Sequence, residues 1–167
     1  ADVSPKKPRY ILLGTEIGSD KKPEAYTHLY ANYLVPKSHP RIKLRGKIDS
    51  LQAHIIVAQA KAKQLKLENV VKDLDELLYF ARNLLRAEVL SEPVEEFTFF
   101  GLTSQEIREI SHNPKKKLGT SHILPSYEMG EMMAYLNLIR TQVRETELAA
   151  VEAFFDPTDG LKREDIM

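Results

Sequence analysis

Cysteine is absent from this sequence of 167 residues. That excludes a disulfide framework, a thiolate metal site and a cysteine nucleophile. An excess of cations is also missing, since Lys plus Arg and Asp plus Glu both number 24. A surface that wraps nucleic acid and a polybasic membrane anchor both need such an excess, so neither partner is expected. No apolar run approaches the roughly 20 residues that cross a bilayer. The first residues lack the charged start and apolar stretch of a secretory signal, and the cytoplasm is the expected compartment. Glycine is sparse, with seven residues, for a chain that would need many tight turns. No nucleophile elbow of the G-x-S-x-G type, no P-loop and no dinucleotide glycine fingerprint occurs. Gly14-Thr15-Glu16-Ile17-Gly18-Ser19 is too generic to stand for one.

What is present suits one soluble domain with a real core: 43% hydrophobic and 29% charged residues. Up to about residue 47 no long helical period appears, and Pro5, Pro8, Pro23, Pro36 and Pro40 punctuate the chain. Tyr10 to Leu13 reads as a short strand, Ala25 to Leu34 as one or two helical turns, and the rest as loop. Ile48, Leu51, Ile55, Ala58, Ala62 and Leu65 then recur at steps of three and four, one face of a helix. Asp49 reads as its N-cap, with Gln52 completing a capping box. Val70, Leu74, Leu77, Ala81 and Leu84 mark a second helix, widened by Val71, Leu78 and Leu85. Thr103-Ser104-Gln105-Glu106 opens a short helix that Asn113-Pro114 closes. Lys115-Lys116-Lys117-Leu118-Gly119 is a basic loop. The longest helix is expected from about Glu128 to Phe155, on Met129, Met132, Leu136, Ile139, Val143, Thr146, Ala150 and Ala153. Asp156 to Gly160 breaks the chain. The expected fold is all-α, an antiparallel bundle of four to five helices over 48–167 behind an irregular segment, 1–47.

The long helix carries a second stripe. Asn137, Arg140, Arg144 and Glu147 are also three and four apart, about 100° around from the apolar face. Two arginines one turn apart present planar, permanently charged forks to one region, which suits a phosphate chain. The plainer reading is a solvated flank in which Arg144 and Glu147 form a surface pair. A second cationic group lies in Val35-Pro36-Lys37-Ser38-His39-Pro40-Arg41 and Arg45-Gly46-Lys47-Ile48-Asp49-Ser50. It precedes the expected helix N-terminus, a place that favours anions; here too a plain basic loop is the alternative. His28, His39, His54, His112 and His122 include no pair at metal-binding helical spacing. His54, near an apolar helix face, reads as packed or hydrogen-bonded.

Several ordered blocks carry a resemblance. Thr27-His28-Leu29, Val35-x-Lys37-x-x-x-Arg41 and Arg45-Gly46-x-x-Asp49-Ser50 come first. Asn83-Leu84-Leu85-Arg86-Ala87 with Leu90-x-Glu92-Pro93 follows, then Gly101-Leu102-Thr103 and Ile110-Ser111-His112-x-Pro114. His122-Ile123-Leu124-Pro125 and Leu136-Asn137-x-x-Arg140-Thr141-x-Val143-Arg144-x-x-Glu147 complete the set. In this order and spacing the chain resembles the ethanolamine-utilization type of cobalamin adenosyltransferase, a relative of the propanediol-utilization type, over about residues 22–155.

The resemblance implies a helical bundle that assembles as a homotrimer, with active sites between subunits. It implies ATP and cobalamin as substrates, with Mg²⁺ beside the nucleotide. The 5′-deoxyadenosyl group of ATP would pass to Co(I), and triphosphate would leave. Lys37 and Arg144 would contact the phosphates. Asp49 would pair with Arg140 across the subunit interface. Glu147 would belong to the nucleotide and metal site, and Thr27 would fall at the end of the N-terminal nucleotide loop. Arg41, Arg45, Asn137 and His122 join the expected binding residues. A cobalamin-dependent ammonia-lyase and a Co(II) reductase are the implied protein partners, in the cytoplasm or associated with a bacterial microcompartment.

The chain departs from the family in four places. Lys22-Pro23-Glu24-Ala25-Tyr26-Thr27 stands where the propanediol type has a glycine-rich nucleotide loop. His122 replaces the phenylalanine set against the corrin. The histidine and cysteine metal motif of some ethanolamine-type members is missing. The family's last helix is not found before Met167. Two further readings stay open: a corrinoid carrier that delivers adenosylcobalamin to a lyase, and a structural helical partner of a microcompartment.

Overall fold

The computed structural model describes residues 8–14, 17–91, 126–156 and 160–161. Its longest element is helix α1, Pro40–Gln64. Leu44, Ile48, Leu51, Ile55, Ala58 and Ala62 line one side of it and are buried. The stripe therefore begins a turn earlier than Ile48, and the helix itself more than two turns earlier, at Pro40. Pro40 occupies the first turn, where its missing N–H costs nothing and its fixed φ suits a helix. His39 is the N-cap, its Nδ1 accepting the Arg41 backbone N–H at 3.1 Å. Asp49, the N-cap expected from the sequence, instead lies inside the helix.

Leu65, Lys66 and Leu67 turn the chain, with Lys66 at φ 60°. Helix α2, Glu68–Leu90, then returns along α1 and buries Leu74, Leu78, Ala81, Leu84 and Ala87. A 3₁₀ turn, Tyr127–Met129, and Gly130 at φ 94° lead into helix α3, Glu131–Phe154. The positive φ suits glycine, which ends the 3₁₀ turn and lets α3 start in a new direction. Ile139, Ala149, Ala150 and Phe154 of α3 join the α1 and α2 residues in one core, with Met132, Leu136 and Ala153 against it. Val143, read from the sequence as part of this stripe, is exposed. Fully burying a side chain such as Ile55 contributes about 1.5–3 kcal/mol.

Helix α1 is central, with α2 and α3 packed along it. Lys43–Glu152, Lys47–Glu145 and Lys61–Glu131 ion pairs cross from α1 to α3 and fix the two as antiparallel. The carboxylates of these pairs are exposed, and such pairs set register more than stability.

The first 40 residues differ from expectation. The short strand at Tyr10 forms, as β1, Tyr10–Leu12. The stretch read as helical turns is a hairpin, β3 (Tyr26–Tyr30) and β4 (Tyr33–Pro36), and β2 is Gly18–Ser19. Strand order is β2-β1-β4-β3, with β1 and β4 parallel and the other pairs antiparallel. Among the described residues the fold is thus mostly helical, with three helices, but the four-stranded mixed sheet corrects the all-α class expected from the sequence. Aromatic and β-branched side chains with Leu29, Leu34 and Val35 buried favour the pleated arrangement. After α3, Phe155–Asp156 (β5) pairs with Gly160–Leu161 (β6). The capping-box helix expected from Thr103 and the basic loop at Lys115 lie outside the described residues.

Candidate functional site

The outward side of α3 carries the polar stripe. Arg140 Nε donates to Asn137 Oδ1 at 3.0 Å, and Arg144 Nη1 donates to Glu147 Oε2 at 3.2 Å. Each guanidinium is oriented by a partner one turn away, and each keeps further N–H groups for a ligand. Arg144 and Glu147 side chains are 66% and 47% exposed. The surface pair anticipated as the plainer reading is therefore formed, and it leaves the fork available to solvent. Arg140 and Arg144 lie between the Lys47–Glu145 and Lys61–Glu131 crossings, and Glu147 just past the first.

Asp49 is exposed on α1 within the same interval. It makes no hydrogen bond or ion pair among the described residues, and it is not bonded to Arg140 of its own chain.

Thr27 and Lys37 flank one end of the hairpin. Thr27 sits opposite Val35, and the Lys37 N–H donates to the Ala25 carbonyl at 2.8 Å. The Lys37 side chain is 53% exposed, its ammonium meeting only the exposed Glu24 carboxylate, at 3.5 Å. Such a pair holds the cation weakly. No hydrogen bond or ion pair among the described residues joins this hairpin end to the α3 stripe.

Arg41 and Arg45, also expected to bind nucleotide, go elsewhere. Both forks meet Glu88, a carboxylate with no exposed surface near the end of α2. Arg41 Nε reaches Glu88 Oε1 at 2.6 Å, and Arg45 Nε donates to Oε2. Arg41 Nη2 also donates to the Glu88 main-chain carbonyl at 3.1 Å. Arg45 continues to the sheet, its Nη1 and Nη2 donating to the carbonyls of His28 at 3.2 Å and Leu29 at 2.8 Å. Arg41 also lies over the Phe154 ring, 5.6 Å from its centroid. Burial, then the charges of Arg41 and Arg45, pull the His39 pKa below its ordinary value; Glu88 opposes them. A neutral His39 is the form that accepts the Arg41 N–H.

Sequence reasoning missed Glu88. A signal was there: seven residues after Ala81 and four after Leu84, it continues the buried face of α2. A carboxylate on such a face requires cations from elsewhere. His122 lies outside the described residues. His54 is hydrogen-bonded as read, its Nδ1 2.7 Å from the Ser50 carbonyl. Among the described residues no three His, Cys, Asp or Glu side chains cluster as a metal site. No helix among them is long and apolar enough to cross a membrane.

Comparison with known proteins agrees with the blocks found in the sequence. A family model described as cobalamin adenosyltransferase matches residues 17–165. The corrinoid adenosyltransferase EutT of Salmonella typhimurium is 35% identical over 150 residues, which cover 88% of this chain and 54% of that protein. EutT of Escherichia coli K12 is 34% identical over 148 residues, with the same shares of each chain covered. The chain thus spans about half the length of the curated relatives it matches. No solved structure matches it.

Proposed function

Because the chain belongs to the cobalamin adenosyltransferase family, we propose that it is an ATP:corrinoid adenosyltransferase of the ethanolamine-utilization type. One observation carries the reading beyond kinship. The forks of Arg140 and Arg144 stand outward on α3, held by Asn137 and Glu147 and not used by the core.

In this reading Co(I) of the corrinoid attacks the 5′ carbon of ATP. A cobalt–carbon bond forms with the cobalt electron pair, the carbon–oxygen bond breaks, and triphosphate leaves with its electrons. The protein need not supply a nucleophile. It positions two large reactants in line, which removes several kcal/mol of entropic barrier. Arg144 and Lys37 bind the phosphates and stabilise the charge that grows on the leaving group. Glu147 holds Arg144 and offers one carboxylate oxygen toward the nucleotide's metal.

Mg²⁺ supplies further charge neutralisation when bound. The Glu147 carboxylate beside Arg144 would offer it one oxygen ligand, since a nucleotide-bound Mg²⁺ takes only one or two carboxylates from a protein. Thr27 marks the nucleotide end of the hairpin. Asp49 reaches Arg140 of a neighbouring subunit in the homotrimer that the family resemblance implies. Both residues are exposed and unpaired with one another in the single chain, as such a contact requires. The setting is ethanolamine utilization, in the cytoplasm or a microcompartment, with a Co(II) reductase upstream and an ammonia-lyase as recipient.

The test is spectroscopic. Protein, ATP and Mg²⁺ are mixed without oxygen with chemically reduced cobalamin, and the Co(I) absorption is followed. Its replacement by a light-sensitive alkylcobalamin, dependent on protein and on ATP, is the expected result. Persistence of Co(I) on a folded protein that binds cobalamin would give the carrier reading instead.

A further inference from the structure

The buried cluster around Glu88 joins the end that carries Thr27 and Lys37 to the rest of the molecule. We infer that Glu88 is a positioning residue for the nucleotide end of the site, acting through Arg45 on the β3–β4 hairpin; this rests on the adenosyltransferase reading for its substrate, ATP.

The chain of contacts is short. Glu88 holds Arg45 with both carboxylate oxygens, Oε2 meeting Nε and Oε1 lying 3.5 Å from Nη2. The same guanidinium donates to two successive carbonyls of β3, those of His28 and Leu29. His28 directly follows Thr27. Across the hairpin, Thr27 is registered with Val35 and Tyr26 with Pro36, next to Lys37. A bulge between His28 and Tyr30 interrupts the ladder at the carbonyls that Arg45 takes up. Arg45 therefore supplies, from a side chain, hydrogen bonds where the strand pairing is irregular.

Arg41 secures the other side. It binds Glu88 and covers Phe154 at the end of α3, one helix with Arg144 and Glu147. A single carboxylate thus links the hairpin, the first turns of α1, the last turn of α2 and the end of α3.

Packing alone does not explain this choice of residues. An ion cluster in an interior is no more stabilising than apolar side chains of the same volume. What charge adds is direction. A carboxylate bonded at both oxygens fixes two guanidinium planes, and a fixed Arg45 plane fixes two main-chain carbonyls. Lys37 has no such support of its own, so its place depends on the hairpin.

The experiment compares wild type with Glu88→Gln, which keeps the shape and removes the charge. Two quantities are read: amide hydrogen exchange along the chain without ligand, and the steady-state constants for ATP. Faster exchange confined to residues 26–37, with KM for ATP raised about 10- to 100-fold, kcat within about threefold and cobalamin affinity retained, supports the inference. Glu88→Asp, which restores the charge, should recover part of the ATP affinity. Unchanged hairpin exchange and unchanged KM overturn it. Faster exchange throughout all three helices with kcat and KM damaged together also overturns it, because Glu88 then merely holds the fold.

If Glu88→Gln does not fold, Arg45→Lys decides. It keeps a cation for Glu88 but cannot reach two carbonyls as a fork. The same hairpin-confined change supports the inference, and wild-type behaviour overturns it. Should wild type bind ATP without alkylating cobalamin, the adenosyltransferase reading fails. The ATP dissociation constant and the exchange pattern then still decide the role of Glu88.

Discussion

Arg41 and Arg45 meet two side chains of opposite character, a buried carboxylate and a half-buried imidazole. The carboxylate of Glu88 draws the two guanidiniums together, and His39 must live beside them uncharged. This has a pH consequence of definite sign. The folded His39 pKa lies below its ordinary value of 6.5, so the unfolded chain takes up the proton more readily. The contribution of a neutral His39 is present above 6.5 and is lost as pH falls through the lowered folded value. His39→Asn keeps a side-chain acceptor at the helix start without titrating in this range. Its melting temperature should fall less than that of wild type between about pH 7 and pH 5. An equal slope for the two proteins would show that His39 does not carry the effect.

At the same scale, Arg144→Ala tests the stripe. The lost pair with Glu147 is exposed and contributes a few tenths of a kcal/mol. Helicity by circular dichroism and the assembly state should therefore be unchanged. Adenosylation should drop by about 10²- to 10³-fold, as when a charge-stabilising donor is removed. A fully active variant would remove Arg144 from the site.

Among the elements, the helices were readable and the sheet was not. Leu74, Leu78, Ala81 and Leu84 gave α2 because step and burial agree over three turns. In α1 the repeat at Leu44 and Ile48 extends upstream, but Pro40 was read as loop punctuation although it serves as the first residue of the helix. The hairpin was missed at Ala31 and Asn32. These two residues join strands ending at Tyr30 and starting at Tyr33, with Ala31 at φ 47°. An alanine does not announce a positive φ, so the turn looked like the middle of a helical segment.

The α3 stripe was legible because helical spacing alone places its four residues on one side. Glu88 was not, since its partners lie 47 and 43 residues away and only tertiary structure brings them in. Core and surface positions on one helix give a matched test. Ile55→Ala should cost about 2–5 kcal/mol in denaturant unfolding, whereas Val57→Ala, at a position 51% exposed, should cost under about 1 kcal/mol. Similar costs at both sites would mean that the outer face of α1 is as closely packed as the inner one.

For the molecule as a whole, assembly is the property on which the proposed site depends. Asp49 and Arg140 are both exposed and lie in the same interval of the α1–α3 pair without touching. If they pair between subunits in the proposed trimer, Asp49→Arg and Arg140→Asp should each shift sedimentation toward smaller species, and the two together should restore the wild-type state. Failure of the double variant to recover what the single ones lose would argue against that contact.

The connections of α1 also set the lengths of the loops that folding must close. Helix α2 follows after three residues, and its far end closes with Arg41 and Glu88, 47 residues apart. Helix α3 must return from much farther along the chain, as the 109 residues between Lys43 and Glu152 show. Each doubling of such a separation adds about 0.6 kcal/mol to the entropy of closure. The α1–α2 pair therefore closes the shorter loop and α3 the longer one, a difference of under about 1 kcal/mol in closure entropy. The arginine stripe rides on the helix that closes the longer loop, whereas Glu88, Arg41 and Arg45 lie on the pair that closes the shorter one. In the proposed reading, the arginines for the phosphates therefore join the site across the longer closure and the support of the hairpin across the shorter one.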